Sequence, residues 1–288
     1  MGRARATTLL VLGLIFALGV TAVPAMAQDA LICRKRDKQG SKAGQKHFLG
    51  KGNDYFNGGD GNDRIYGGPG NDILNGGRGN DKVYGGPGND IVCGGINNDR
   101  VFGDTGRDEV YGEEDNDYVE GGPGDDYMIG DAGLDRLIGY GRENGEYVAD
   151  GMDFMEGSYL QDVLVAGGFD TLYGGAEDDT LFSKTPSLGM ARADGELQND
   201  TITGSDADDK QIIGGPGDDV IRGGGGADNI KGGNNEDEIF GGDGDDDLFG
   251  ELGRDQLFGG ADFDTCDGGN RGQKDRADST CERQPFVP

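Results

Sequence analysis

The sequence has no tryptophan and a single histidine, His47, and its 26 Lys and Arg residues are outnumbered by 55 Asp and Glu residues. One histidine excludes an H-E-x-x-H metalloprotease motif and any site with two histidine ligands. No G-x-S-x-G or Walker loop occurs, and a Ser-His-Asp triad would have to use His47, which we interpret as an exposed cap residue. The net charge of -29 disfavours nucleic acid as a partner, because two polyanions repel. No catalytic residue is therefore predicted, and we expect no enzyme.

Long apolar runs are also missing, except near the N-terminus. Leu9 to Val20 is apolar, Arg3 and Arg5 precede it, and an A-x-A sequence ends at Ala27. This pattern is typical of a secretory signal peptide over residues 1–27, and the alternative, a membrane anchor, is disfavoured by the shortness of the run. No later segment could span a bilayer. We expect a secreted, extracellular chain whose oligomeric state the sequence does not determine.

Cysteine is scarce but even in number, with Cys33, Cys93, Cys266 and Cys281. In an exported protein an even number favours disulfides over metal thiolates, and four cysteines allow three pairings. We favour Cys33–Cys93 and Cys266–Cys281, which would tie both ends of the fold, with free thiols as the alternative.

The basic cluster Arg34–Arg36, with Lys38, Lys42 and Lys46, is expected to cap the acidic first coil or contact an anionic cell wall; a solvated tail is the alternative.

The sequence is rich in glycine, with 60 residues. Its acidic residues include aspartates that recur at every ninth position. When Asp is numbered position 6 of a nonapeptide, position 1 is glycine and position 8 is apolar in consecutive units from residue 54 to residue 137. A repeat this regular indicates a solenoid. Position 6 holds the predicted metal ligands: Asp54, Asp63, Asp72, Asp81, Asp90, Asp99, Asp108, Asp117, Asp126, Asp135, Asp219, Asp228, Asp237, Asp246 and Asp255.

The repeat divides the chain into segments. We predict a signal peptide (1–27), a basic N-terminal cap segment (28–48), a first repeat block (49–139), degenerate repeats with an insertion (140–213), a second block (214–267) and a C-terminal cap (268–288). The insertion is placed at about Ser183 to Glu196, which contains Pro186. The two blocks are interpreted as one continuous array.

Positions 7 to 9 predict three-residue strands with position 8 inward, and positions 1 to 6 predict a turn. Asn or Asp at position 5 is expected to occupy the left-handed backbone region. Two nonapeptides per 18-residue coil would give two facing parallel sheets, so residues 18 apart stack. Tyr66, Tyr84 and Phe102 should then form an outward ladder, with edge packing favoured over a carbohydrate-binding strip. The predicted fold class is all-β, a parallel β-roll (β-solenoid).

The same stacking places the position-6 carboxylates in columns with a spacing of roughly 4.8 Å. At an effective dielectric near 20, each neighbouring pair of bare carboxylates costs about 3–4 kcal/mol before screening. The fold therefore needs cations, and oxygen-only ligands select Ca²⁺ over Zn²⁺. We predict multiple calcium ions; Mg²⁺ is the less suitable alternative.

The pattern G-G-x-G-x-D-x-U-x resembles the RTX (hemolysin-type) calcium-binding nonapeptide repeat. Complete loops include Gly58–Asp63, Gly67–Asp72, Gly85–Asp90 and Gly241–Asp246. The resemblance covers most of residues 49–267 and implies a β-roll with Ca²⁺ held between loops of successive coils by Asp carboxylates and loop carbonyls. Some loops depart from the pattern: Gly94–Asp99 has Asn97, Gly112–Asp117 reads GEEDND, and Gly174–Asp179, Gly232–Asp237 and Gly259–Asp264 lack the third glycine.

The expected function is that of a secreted calcium-binding β-roll that folds on Ca²⁺ and serves as an extracellular structural or interaction module. Its partners are calcium ions and, as the candidate macromolecule, a cell-wall or extracellular polymer. The alternative is an extracellular, glycan-directed hydrolase with its site in residues 140–203. The sequence does not give the biological partner, the number of filled sites or the role of residues 140–213.

Overall fold

A computed structural model describes residues 44–139, 141–143, 146–148, 152–167, 170–183, 190, 192–269 and 276–283. These residues belong to one compact unit, Lys38–Pro288. The other unit, Met1–Asp37, lies outside the described residues, and so do the predicted signal peptide and the basic cluster around Arg34–Arg36. Among the described residues, no helix is long and apolar enough to cross a membrane.

The described chain is all β, and its strands alternate between two parallel sheets of 13 strands each. Sheet I consists of β1 (Lys46–Phe48), β3 (Arg64–Tyr66), β5 (Lys82–Pro87), β7 (Arg100–Thr105), β9 (Tyr118–Glu120), β11 (Arg136–Ile138), β15 (Val163–Ala166), β17 (Thr180–Ser183), β19 (Thr201–Thr203), β21 (Val220–Gly225), β23 (Glu238–Asp243), β25 (Gln256–Ala261) and β27 (Arg276–Ala277). Sheet II consists of β2 (Tyr55–Asp60), β4 (Ile73–Arg78), β6 (Ile91–Ile96), β8 (Glu109–Glu114), β10 (Tyr127–Ala132), β14 (Phe154–Tyr159), β16 (Thr171–Ala176), β18 (Arg192–Leu197), β20 (Ile212–Pro216), β22 (Asn229–Asn234), β24 (Asp247–Leu252), β26 (Asp264–Asp267) and β28 (Cys281–Arg283).

The register confirms two nonapeptides per coil. In the first block, Ile65 pairs with Val83 in sheet I and Leu74 pairs with Val92 in sheet II, each 18 residues apart. Many strands are six residues long, twice the predicted length, because positions 2 and 3 also pair between coils, as Gly59 does with Gly77 and Asp60 with Arg78. The prediction that the turn occupies all of positions 1 to 6 is therefore wrong: in many loops positions 1 to 3 belong to the strand.

The core is a thin column of position-8 side chains supplied alternately by the two sheets. These side chains are fully buried throughout both blocks, from Ile65, Leu74 and Val83 to Leu248 and Leu257. They form one continuous cluster that reaches Cys266 and Cys281, and Phe56, in the first coil, packs against it while partly buried. A core only one residue wide per strand cannot stabilise one coil alone, so the stability of each coil depends on its neighbours.

The irregular middle continues the same two sheets, which confirms one uninterrupted array. Extra residues are accommodated in the loops: nine enter one coil as the antiparallel hairpin of β12 (Gly141–Glu143) and β13 (Glu146–Val148). The predicted insertion at 183–196 is too long, because β18 pairs in register with β16. Loop length can vary without cost to the register as long as each strand returns to its place in the ladder.

Cysteine and aromatic side chains confirm two further predictions. Cys266 and Cys281 form a disulfide at the C-terminal end, with their Cα atoms 5.7 Å apart. Cys93 is fully buried and disulfide-bonded, but Cys33 lies outside the described residues, so the pair Cys33–Cys93 stays a prediction. Phe48, Tyr66, Tyr84 and Phe102 stack with ring centroids 4.7 to 4.8 Å apart.

Candidate metal centre

The loops that join the sheets depend on left-handed backbone at positions 2 and 4. Gly77 and Gly79 have φ of 108° and 133°, a region that favours glycine. Where the sequence departs from glycine, the backbone keeps the same conformation, with φ of 82° at Asn97, 82° at Glu113 and 77° at Asp115. The degenerate loops therefore retain the loop geometry, at a cost of about 1–2 kcal/mol for each side chain held in this region.

Position 6 is fixed by a hydrogen bond that runs from coil to coil. The backbone N–H of Asp72 donates to Oδ1 of Asp90 at 2.7 Å, and the N–H of Asp90 donates to Oδ1 of Asp108 at 2.7 Å. This bond repeats along both edges of the roll and aligns the carboxylates in two columns. Column one contains Asp54, Asp72, Asp90, Asp108, Asp126, Asp153, Asp170, Asp209, Asp228, Asp246 and Asp264. It is interrupted between Asp170 and Asp209, where the N–H of Met190 donates to Oδ1 of Asp209. Column two contains Asp63, Asp81, Asp99, Asp117, Asp135, Asp162, Asp179, Asp200, Asp219, Asp237 and Asp255.

The second carboxylate oxygen, Oδ2, is buried and accepts no hydrogen bond in most of these residues. This holds for Asp54, Asp63, Asp72, Asp81, Asp90, Asp99, Asp108, Asp117, Asp126, Asp135, Asp162, Asp179, Asp200, Asp219, Asp228, Asp237 and Asp246. A buried anionic oxygen without a partner is costly, and a buried charge is normally paired or bound to a metal. The repetition of the same atom at the same position indicates a built cation-binding position and not a local irregularity.

Glycine at position 1 provides space for this oxygen. A Cβ built on Gly85 would lie 2.5 Å from Oδ2 of Asp90 and 2.6 Å from the carbonyl oxygen of Gly103 in the next coil. A Cβ on Gly88, at position 4, would collide with the carbonyl oxygen of Gly70 and would lie 3.3 Å from Oδ1 of Asp90. Carboxylate and carbonyl oxygens thus border the same spaces, which only glycine leaves open.

This donor set fits calcium. Within the described residues, no three acidic, histidine or cysteine side chains converge on a point. Backbone carbonyl oxygens border the same spaces as the position-6 carboxylates. One carboxylate per loop and several carbonyls form an all-oxygen set, which suits a hard cation with flexible geometry. When bound, Ca²⁺ would supply the positive charge that the buried carboxylates lack, and the position-6 aspartates with the loop carbonyls would hold it.

Burial also shifts the acid–base equilibrium of the columns. It raises the pKa of Asp81 to about 6, that of Asp90 to about 7 and that of Asp99 to about 9, and the neighbouring carboxylates of the same column add to the increase. The backbone hydrogen bond to Oδ1 acts in the opposite direction and only partly compensates. Without a cation, the columns therefore bind protons near neutral pH.

Position 5 forms a second, exposed ladder that was not predicted. The backbone N–H of Asn71 donates to Oδ1 of Asn53 at 3.0 Å, and the N–H of Asn89 donates to Oδ1 of Asn71 at 3.1 Å. The expectation that position 5 is left-handed is wrong for these residues, since positions 2 and 4 carry the positive φ angles. Asn and Asp occur at position 5 because their short side chains reach the amide of the next coil.

The structure places all fifteen predicted ligands in the two columns and adds residues that were not predicted. Asp162, Asp179 and Asp200 in the degenerate segment have the same hydrogen bond and the same partnerless Oδ2. Their signal in the sequence was Asp at position 6 with glycine at position 1 (Gly157, Gly174 and Gly195), without the glycine at position 4. Asp170 and Asp209 differ, because Oδ2 accepts a hydrogen bond from the N–H of Gly167 in one case and of Ser205 in the other.

His47 does not occupy the exposed position that we expected. It pairs with Ile65 at position 8, is partly buried, and lies with its ring centroid 4.4 Å from that of Phe56. Its Nε2 is 4.0 Å from Oδ1 of Asp63. His47 thus begins the inner column of the roll, a role set by its register in β1.

A parallel β-solenoid whose two edges carry columns of buried carboxylates, most of which have one oxygen that accepts no hydrogen bond, belongs to the class of cation-binding β-rolls. The chain belongs to the RTX calcium-binding nonapeptide repeat family: the family model, which contains four copies of the repeat, matches residues 48–74, 66–101, 94–128, 102–137, 162–184, 191–210, 211–239 and 231–266. The matched ranges cover both predicted blocks and most of the degenerate segment. Comparison with curated proteins finds no match.

Proposed function

We propose that this calcium-binding repeat protein is exported and folds outside the cell on Ca²⁺, where it serves as a structural or interaction module without catalytic activity. The observation that carries the proposal is the column of buried Oδ2 atoms without partners. The N-terminal sequence pattern of residues 1–27 supports export.

Calcium dependence follows from the electrostatics of the columns. Without cations, the two columns hold like charges in successive coils, and the thin core offers little to offset their repulsion. Binding to the folded state alone converts calcium affinity into folding free energy. Extracellular calcium modules bind with Kd on the order of 10⁻⁴–10⁻³ M, so the chain would remain unfolded at low calcium and fold after export.

Circular dichroism during calcium titration of the chelated, oxidised protein tests this proposal, and isothermal titration gives the number of ions bound. We expect a cooperative gain of β signal with Ca²⁺, its loss on chelation, and a much weaker response to Mg²⁺. A spectrum that is the same with calcium and with chelator would contradict the proposal.

The alternative, a glycan-directed hydrolase in residues 140–203, stays a hypothesis. The described strands of that segment, β14 to β19, continue the two sheets and the carboxylate columns. A screen for polysaccharide turnover by the calcium-loaded chain, with residues 140–203 deleted as the control, tests it. Turnover that requires this segment would favour the hydrolase over the non-catalytic module.

A further inference from the structure

A column of basic residues lies on the outer face of sheet I, in a chain where acids outnumber bases by two to one. Position 7 of the first four strands holds Lys46, Arg64, Lys82 and Arg100, which pair Cα to Cα in that order. We call these four residues the cationic strip. Lys46, Arg64 and Arg100 are exposed, and Lys82 is partly exposed.

The cationic strip is not neutralised by the protein. In the described part of the chain, none of its four residues forms an ion pair with a carboxylate, whereas Arg254 and Lys231 do. Beside the cationic strip, position 9 holds the stacked rings of Phe48, Tyr66, Tyr84 and Phe102, which we call the aromatic ladder. Nζ of Lys46 lies 4.7 Å from the ring centroid of Phe48. Like charges opposite one another on neighbouring strands destabilise a sheet. A row of four uncompensated cations therefore indicates a use outside the fold.

The aromatic ladder narrows the choice of partner. The ring centroids of Tyr66 and Tyr84 are 4.8 Å apart and those of Tyr84 and Phe102 are 4.7 Å apart, with interplanar angles of 3° and 4°. Because the rings are stacked on one another, their edges and not their faces are turned outward. Nucleic-acid bases bind single-strand proteins by stacking on open aromatic faces. This ladder offers no such faces between its rings, which disfavours a nucleic acid.

Polar groups complete the face. The exposed position-5 residues Asn62 and Asn80 precede β3 and β5, and the N–H of Asn80 donates to Oδ1 of Asn62 at 3.0 Å, so the amide nitrogen of Asn62 remains a potential donor. Glycine occupies the outward position 2 in the neighbouring strands, at Gly68 and Gly86, and leaves the surface flat. This face therefore presents basic side chains at a regular spacing together with amides and tyrosine hydroxyls. Such groups can bind an extended polymer that carries both anionic groups and hydroxyls.

We propose that the cationic strip binds an extended anionic polysaccharide that lies along the axis of the roll, across the strands of sheet I. This inference rests on the proposed function, since the face exists only in the folded roll. Calcium should assist binding, because ions bound at the edges reduce the overall negative charge that repels a polyanion.

The test measures binding of chondroitin sulfate to the full chain at saturating calcium, with neutral dextran and oligo(dT) as comparison ligands. The variant Arg64→Gln/Lys82→Gln/Arg100→Gln removes three cations of the strip. The matched control Arg78→Gln/Arg107→Gln/Arg254→Gln removes three exposed cations that lie outside the strands of sheet I, so both variants have the same net charge. Circular dichroism verifies that each variant still folds on calcium.

We expect chondroitin sulfate to bind the wild-type chain and dextran not to bind. The strip variant should bind chondroitin sulfate at least about tenfold more weakly than the wild type. A plot of the logarithm of its binding constant against the logarithm of salt concentration should have a slope that is shallower by about one unit for each removed basic residue. The control variant should bind like the wild type. Equal losses in both variants, no binding by a calcium-folded wild type, or tighter binding of oligo(dT) would overturn the inference and leave the proposed function intact. A chain that does not fold on calcium would contradict both.

Discussion

At the scale of single residues, the position-6 aspartate meets two requirements with its two oxygens. Oδ1 accepts the N–H of the aspartate one coil earlier and aligns the loops, while Oδ2 is buried beside the position-1 glycine. The hydrogen bond to the backbone N–H requires only an acceptor oxygen, which a neutral amide also supplies, whereas the buried anionic oxygen requires a cation. Structure and calcium binding can therefore be separated by a substitution that keeps the acceptor and removes the charge.

Asp99→Asn is that substitution. The raised pKa of Asp99, about 9, shows that the fold disfavours its charge in the absence of a cation. We therefore expect the chelated variant to be more stable than the chelated wild type, and the calcium-loaded variant to be less stable, each by about 1–3 kcal/mol. Because the chain is proposed to be unfolded at low calcium, thermal denaturation over a series of calcium concentrations measures the loaded state, and extrapolation to zero calcium gives the stability without the ion.

The control for Asp99→Asn is Asp125→Asn, which removes the same charge from an exposed position-5 residue that also accepts a backbone hydrogen bond. It should change neither stability appreciably. If Asp99→Asn destabilised both states equally, a purely structural role for the carboxylate would follow and the cation-binding role would be wrong.

A second residue-scale prediction concerns left-handed positions without glycine. Glu177 has φ of 83° at position 4 of its loop. Glu177→Gly should stabilise the calcium-loaded fold by about 1 kcal/mol, because relief of the strained conformation exceeds the added entropy of the unfolded chain. The neighbouring Ala176→Gly, where φ is not positive, should be neutral or destabilising in the same denaturation experiment. A destabilising Glu177→Gly would show that this side chain contributes more than the strain costs.

At the scale of elements, each coil is supported mainly by the coils on either side. The last coils have a neighbour on one side only, and the disulfide from β26 to β28 restricts this end. Both sulfurs belong to the apolar core, so the bond closes the core column as well as the chain. It should therefore determine how far the end of the roll frays.

Cys266→Ala/Cys281→Ala should lose about 3 kcal/mol, the stabilisation expected for a closed loop of 15 residues. Hydrogen exchange in calcium should show lost protection from β24 to β28 and unchanged protection in β3 to β8. Uniform loss of protection along the roll would contradict this local effect and indicate that the array unfolds as one unit.

At the scale of the whole molecule, the two carboxylate columns link folding to both protons and calcium. Since folding raises the pKa of Asp81 to about 6 and that of Asp99 to about 9 from the ordinary 3.8, the folded chelated chain binds more protons than the unfolded chain between about pH 4 and pH 9. The stability due to these protons is fully present below about pH 4 and is lost as the pH rises through the folded pKa values.

We therefore expect the chelated protein to become less stable from pH 4.5 to pH 8, and the calcium-loaded protein to become more stable, because protons compete with Ca²⁺ for the same oxygens. At each pH, the free energy of unfolding at saturating calcium and its extrapolation to zero calcium from a calcium series give the two slopes. Parallel slopes in the two conditions would show that the columns do not exchange protons for calcium.

Most of the fold could be predicted because the repeat is explicit in the sequence. Position 8 identified the buried column from Ile65 to Leu257, and the 18-residue coil followed from the two-sheet arrangement. The degenerate segment was harder to interpret, since Asp162, Asp179 and Asp200 keep their place in loops that retain the position-1 glycine but lack the position-4 glycine. There the neighbouring coils impose the left-handed backbone on Ser158, Leu160 and Gln198.

The sequence by itself determined the period, the inward residues, the identity of the acids and the chemistry of their cation, because each is a property of one nonapeptide or of its repetition. Only the tertiary structure decided which oxygen of each aspartate accepts a backbone hydrogen bond and which accepts none. It also decided that Oδ2 of Asp170 and of Asp209 accepts a hydrogen bond within its own loop, and that four basic side chains align on one face. These features depend on the stacking of coils that are 17 to 27 residues apart in the chain. Contacts of that kind exist only once the register between coils is set.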